Sequence, residues 1–426
     1  MIRGRLLALA VATLVIAAPH SRGLGQEAAV RMIADEGDAA QQWPRWRGPS
    51  GQGLATGTGY PDTWSGTDNV VWKVPVPGSG NSSPIVWKDR IFLTTAQDGG
   101  RRLSVLAFRR GDGALDWETV VPRATSEAPH AKNGYASATP ATDGTRLYVS
   151  FGSQGLFALD LNGTVLWRHD VGRIGNYHGP AGSPLLYKDR VIIYQDQSVG
   201  SFVAAFDART GRQLWRTPRD ASVGWGTPIA VRVAGRDEII VNGQARVQAY
   251  DPETGRELWR CHGTTSEVIP TPVVGYGLVF CPSGRAGPTL AIRPGGSGDV
   301  TRTHVAWRTP RGSPFVPSPI LYGEHLYTVN DMASIVTAHA VTSGESVWQG
   351  RLGVAQREGF SASPVAVDGK VFFTNDDGDT FVLRAGATFE LLHVNRIGER
   401  TLASPALVDG IWYMRTDRHL FAVGRR

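Results

Sequence analysis

Residues 249–260 read AYDPETGRELWR, and the pattern recurs as AFDARTGRQLWR at 205–216, ALDLNGTVLWR at 158–168, AFRRGDGALDWE at 107–118 and AHAVTSGESVWQ at 338–349. Two carboxylates beside a Thr-Gly pair would suit a small active site. Recurrence makes them architecture instead. Asp and Thr cap a tight turn through their side chains, and Gly takes the positive φ that a hairpin needs. The Trp then falls on the strand leaving the turn, where a large ring can pack on a neighbour.

A second signature precedes each copy: a Ser/Thr-Pro pair followed by alternating apolar residues. Its prolines are Pro84, Pro140, Pro184, Pro228, Pro272, Pro319, Pro364 and Pro405, spaced 56, 44, 44, 44, 47, 45 and 41 residues apart. That is the repeat length of a four-stranded propeller blade, as in WD40-like repeats. In the third unit SPLLYKD, RVIIYQD, SFVAAFD and RQLWRT read as four strands by period-two alternation. The seventh unit departs from the pattern, offering only FELLHV where the Trp strand belongs.

After Pro405 only three strands remain: PALVDG, IWYMRT and HLFAVG. The fourth lies upstream, in NVVWKVPV at 69–76, where Trp72 precedes Pro84 by 12 residues as Trp307 precedes Pro319. Pairing that strand with the last unit closes a ring and removes open sheet edges. The expectation is all-β: an eight-bladed β-propeller over 69–426, closed by an N-terminal strand. Trp72, Trp117, Trp167, Trp215, Trp259, Trp307 and Trp348 are expected to dock blade on blade. Residues 27–68 read as an N-terminal extension and strap whose Trp residues pack on the ring.

Residues 1–26 read as a signal peptide: Arg3 and Arg5, the run LLALAVATLVIAA, then small and polar residues. An uncleaved anchor is the alternative. No Cys follows the run for lipid attachment, so a periplasmic or secreted protein is expected, with no integral membrane segment after cleavage. Without Arg3, Arg5 and Arg22 the chain keeps 41 basic against 38 acidic side chains, scattered rather than clustered, which argues against nucleic acid. Cys261 and Cys281 are the only cysteines; they could pair, but they form no disulfide framework and no metal-binding CxxC.

The Ser/Thr-Pro starts and ALDxxTGxxxW ends together resemble the pyrroloquinoline-quinone (PQQ) repeat over residues 69–426. That family includes the quinoprotein alcohol dehydrogenases and the outer-membrane protein assembly factor of the BamB type. The resemblance implies a propeller with either a protein partner or a PQQ and calcium centre. The dehydrogenases carry adjacent cysteines over the quinone and acidic or amide metal ligands; here the cysteines lie 20 residues apart. The reading is therefore a non-catalytic, exported binding or scaffold module, a monomeric ring with a protein or cell-envelope partner and no cofactor or metal. The alternative is a PQQ-dependent dehydrogenase or another sugar-active propeller enzyme.

Strand order places the inter-blade connections and the turns between second and third strands on one face, opposite the DxxTG turns. Candidate ligand or partner residues on that face are His130, Lys132, Asn133, Tyr135, Tyr177, His178, Trp225, Glu267, Arg357, Glu358 and Arg400. His130 and His178 are the candidates for acid/base or ligand work, weighed against a plain solvated-loop role. NDDGDT at 375–380 alternates acids as a calcium loop does, but lacks the register of one and reads as an Asp-Gly hairpin.

Overall fold

The computed structural model describes residues 1, 30–122, 130, 132–285, 287–353 and 359–425. The expected signal peptide lies outside them, apart from Met1. Eight antiparallel sheets form the blades, beginning at Ile85, Ala141, Leu185, Ile229, Val273, Ile320, Val365 and Ala406. No α-helix occurs among the described residues, and no helix there is long and apolar enough to cross a membrane. In the eighth blade the strand Val70–Pro75 pairs antiparallel with His419–Val423, Trp72 opposite Ala422, so the ring closes as the repeat predicts. The fourth blade is widened to six strands by Arg31–Met32 and Gly298–Asp299.

The opening stretch shows how each outer hairpin is made. Asp251 Oδ1 accepts the N–H groups of Glu253 and Thr254, both at 2.9 Å, and Gly255 turns the chain at φ 72°. Trp259 then returns opposite Ala249, and a bulge between Ala249 and Tyr250 sets the register. The same Ala–Trp pairing precedes a bulge at Ala107–Trp117, Ala205–Trp215, Ala291–Trp307 and Ala338–Trp348. A small residue opposite the indole leaves that ring free to lean on the next blade.

It leans on the next hairpin. Trp215 donates its indole N–H to Pro252 O at 3.0 Å, and its ring lies against Gly255, where an added Cβ would sit 2.4 Å from Cε3. Trp72, Trp117, Trp167, Trp307 and Trp348 likewise donate to Arg110, Leu161, Ala208, Val341 and Gly386 in their following blades. Trp259 differs: it donates to Glu238 Oε2 of its own blade, because the fifth blade replaces its hairpin with the excursion containing Gly298–Asp299. In the seventh blade His393 stands where the Trp should be, opposite Val382. The eighth blade has no hairpin for a Trp there. Gly424 simply donates to Asn69 O, and Trp64 of the strap packs on Phe372 and Trp412 instead.

Replacing Gly255 with Ala forces both a strained φ and a clash with Trp215. The expected cost is about 2–4 kcal/mol, against about 1 kcal/mol for Gly323→Ala, which has a similar φ but open space around it. Urea unfolding of the two variants measures the difference; equal losses would mean that the indole yields freely.

Nearer the axis, the Ser/Thr of each Ser/Thr-Pro pair builds a second belt. The backbone N–H of Ser83 donates to Thr139 Oγ1, Thr139 to Ser183, Ser183 to Thr227 and Thr227 to Thr271, at 2.9–3.2 Å. Thr271 donates to Ser318, Ser318 to Ser363, Ser363 to Ser404, and Ser404 back to Ser83, at 2.9–3.0 Å. Eight bonds in one sense close the circle. Each satisfies a buried N–H at an inner strand that has no further strand to pair with.

Residues 30–68 bind across these inner strands. Trp43 exchanges two backbone bonds with Val86, Pro44 accepts from Thr142, Gln52 Oε1 from Val274 and Gly53 from Ala366. Arg47 Nη2 donates to Pro319 O at 2.7 Å. Gln42 caps Lys88 in the first turn of blade one, and Gly59 lies against Gly410 in the first turn of blade eight. The segment thus enters from the DxxTG side and stops the bore, with Trp43 and Arg47 each about 1% exposed.

Candidate functional site: a central funnel

Above this plug a cavity of about 270 Å³ opens toward the face carrying the inter-blade connections. Trp46 of the plug lines it from below, six of the eight belt residues line its wall, and His130, Lys132, Asn133, His178, Trp225, Arg285 and Phe315 stand nearer the mouth. Adjacent connections lock the mouth together. Asn81 Nδ2 donates to Lys132 O at 2.9 Å, and Asn133 Nδ2 to His178 O at 2.6 Å and Gly179 O at 3.0 Å. The Trp225 indole N–H donates to the same Gly179 O at 2.8 Å. Rigid, hydrogen-bonded loops of this kind present a fixed surface.

The aromatic group is compact. The rings of His130 and His178 are 4.1 Å apart, with Tyr177 4.4 Å and Trp225 5.7 Å from His178. Burial, then the neighbouring His130, lowers the His178 pKa and favours its neutral form. Burial and a 2.5 Å hydrogen bond to Glu267 push the Tyr177 hydroxyl up to about 12, so it stays a donor. Burial works to raise Glu267, but hydrogen bonds from Tyr177 and Arg285 hold it below the usual carboxylate range. Lys132 reaches Asp376 at 3.1 Å on the second turn of blade seven. Burial pushes Asp331, which accepts the Phe315 N–H, up to about 6.

The structure gathers five of the sequence candidates at the funnel: His130, Lys132, Asn133, His178 and Trp225. Tyr177 and Glu267 lie just outside, along an adjoining groove. Tyr135 is elsewhere, packed on Gly100, and Arg400 lines a separate cleft beside Asp377 and Arg396. Arg357 and Glu358 fall outside the described residues. Asp196, a turn residue of the same face, is wholly buried in an ion pair with Arg219. Sequence reasoning missed the hydroxyl belt, Trp46 and Phe315. The belt had a signal, a Ser or Thr before every one of the eight prolines; Trp46 and Phe315 had none.

A family profile described as outer membrane protein assembly factor BamB matches residues 47–204 and 199–301. The chain belongs to this PQQ-repeat propeller family. Polyvinylalcohol dehydrogenase from Pseudomonas sp. is 36% identical over 102 residues, a match that spans 22% of this chain and only 15% of that protein. Among solved structures, BamB from Moraxella catarrhalis superposes with a TM-score of 0.62 at 14% identity, covering 84% of this chain and 97% of that one. Quinohemoprotein alcohol dehydrogenase from Comamonas testosteroni gives 0.65 at 13% identity, covering 91% and 82%. At such identities the shared property is the fold.

The resemblance to the dehydrogenases would bring metal ligands and adjacent cysteines to the funnel. Among the described residues no three His, Cys, Asp or Glu side chains converge to hold a metal. Cys261 and Cys281 are free and buried in the apolar cluster shared by blades four and five, not at the funnel.

Proposed function

We propose that this chain is a non-catalytic binding propeller of the cell envelope, which offers its funnel face to a protein partner and holds part of that partner, or a small ligand, in the funnel. The observation that carries this reading is the hydrogen-bonded funnel with its cluster of His130, His178, Tyr177 and Trp225, stopped from below by the protein's own strap. Apolar side chains exposed on the same face support it: Tyr177 at 54%, Val199 at 84% and Met332 at 78%. The likeness to an outer membrane protein assembly factor supports a protein partner.

The test pairs two surface variants. Tyr177→Ala with His178→Ala is expected to reduce recovery of a cross-linked envelope partner by about tenfold, the effect of losing an aromatic anchor. Glu253→Ala, on the opposite face, leaves recovery unchanged. Equal recovery by both variants would place binding elsewhere. The stretch shared with polyvinylalcohol dehydrogenase favours a second reading, oxidation of an alcohol with PQQ. Stoichiometric uptake of PQQ with Ca²⁺, and an absorbance change on adding alcohol, would establish that reading and overturn the first.

A further inference from the structure

We infer that the hydroxyl belt is an oxyanion site, so that the funnel takes a ligand through a carboxylate group. This rests on the funnel being a binding site and names the chemistry that the site selects. Each belt hydroxyl accepts one backbone N–H from the preceding blade and so keeps its own O–H. Among the described residues no acceptor takes that proton from Ser83, Thr139, Ser183, Thr227, Ser363 or Ser404, and all six line the cavity. Six O–H donors around one small space match an acceptor-only group, and an ionised carboxylate is such a group.

Charge points the same way. Arg415 and Arg47 are 2% and 1% exposed, and neither has a carboxylate partner among the described residues. Each is tied to the residue next to a belt member. Arg415 Nη1 donates to Ser82 O and Oγ at 3.1 and 2.6 Å, beside Ser83, while Arg47 Nη2 donates to Pro319 O, beside Ser318. Arg415 Nε and Arg47 Nε and Nη1 lack any hydrogen-bond partner. Burial lowers both guanidinium pKa values to about 9, and both remain charged at neutral pH. A buried charge without a counter-ion favours an incoming anion.

The carboxylates around the mouth are largely answered already. Asp376 has Lys132 and Ser361, and Glu267 has Arg285 and Tyr177. Asp331 is the exception: among the described residues it meets the Phe315 N–H and no ion-pair partner, and it does not line the cavity. Counting these groups, four cations (Lys132, Arg285, Arg47, Arg415) stand against three carboxylates, and Arg47 and Arg415 lie behind the cavity wall against the neighbours of belt residues.

The experiment titrates the full chain with two carboxylates and their neutral counterparts, benzoate against benzamide and glucuronate against glucose, reading Trp fluorescence and calorimetric heat. At least one carboxylate is expected to bind about tenfold more tightly than its neutral partner and to weaken with added salt. The two arms separate a planar body from a sugar. Trp46→Phe is expected to remove most of the fluorescence response while the calorimetric heat persists. Thr139→Val, which deletes one O–H, is expected to weaken the carboxylate alone, with its thermal melt reporting whether the belt stays closed. Neutral probes that bind as well as or better than the carboxylates overturn the inference but leave the funnel a binding site. A response unchanged in Trp46→Phe, or no binding by any probe, also overturns it; recovery of the protein partner then shows separately whether the binding reading stands.

Discussion

A chain shortened to end at Arg418 is expected to lose cooperative unfolding altogether. The deleted strand His419–Val423 lies between Ile411–Arg415 and Val70–Pro75 and, among the described residues, is what joins the N-terminal strand to the rest of blade eight's ladder. Leu420, Phe421, Ala422 and Val423 are each at most 1% exposed in a core that also holds Trp412, Tyr413 and Trp43. Exposing or deleting the Leu, Phe and Val side chains forfeits about 2 kcal/mol each. That sum reaches the whole net stability of an ordinary domain, about 5–15 kcal/mol. It also opens two unpaired edges at the one place where the ring is closed without a covalent turn. Calorimetry of the shortened chain should show no sharp transition, and adding a peptide of residues 416–425 should restore part of it. A shortened chain melting like the parent would mean that the belt and strap hold the ring without this strand.

Asp196→Ala is expected to cost about 3–5 kcal/mol, far more than a lost surface charge. Asp196 and Arg219 are both fully buried, joined at 2.7 and 2.9 Å, and Arg219 also donates to Gln248 at 2.9 Å and Tyr250 at 2.5 Å. Removing the carboxylate leaves a guanidinium that water cannot reach. Replacing both partners, Asp196→Leu with Arg219→Met, removes the stranded charge and should recover most of the loss. Urea unfolding of the single and double variants gives the comparison. A single variant within about 1 kcal/mol of the parent, the surface-pair range, would show that water or a rearranged side chain reaches Arg219.

Part of the site was legible for a simple reason. Strand order fixes the face of each connection loop, so His130, Asn133, His178 and Trp225 fall on one face by sequence alone. How far each reaches was not legible. Tyr135 turns away to fill the space over Gly100, and Arg400 belongs to another cleft, because a loop residue's direction follows from packing rather than from its place in the repeat. RWRGPSGQG read as a strap, but nothing local revealed that Arg45–Arg47 stop the bore. That depends on backbone bonds to Val86, Thr142 and Ala366 and on the Arg47 side chain reaching Pro319 O, hundreds of residues apart in some cases.

By itself, the order of residues determined the blade. Period-two alternation, Asp-x-x-Thr-Gly turns and a Trp after each turn are local rules, and eight copies with one displaced strand leave a closed ring as the consistent arrangement. Tertiary structure alone decided what stands at the axis, since that space is built by one or two residues from every blade. The eight hydroxyls of the belt lie 41–56 residues apart along the chain, and Ser404 meets Ser83 across 321. Only ring closure makes them neighbours, and only then do six of them line one cavity.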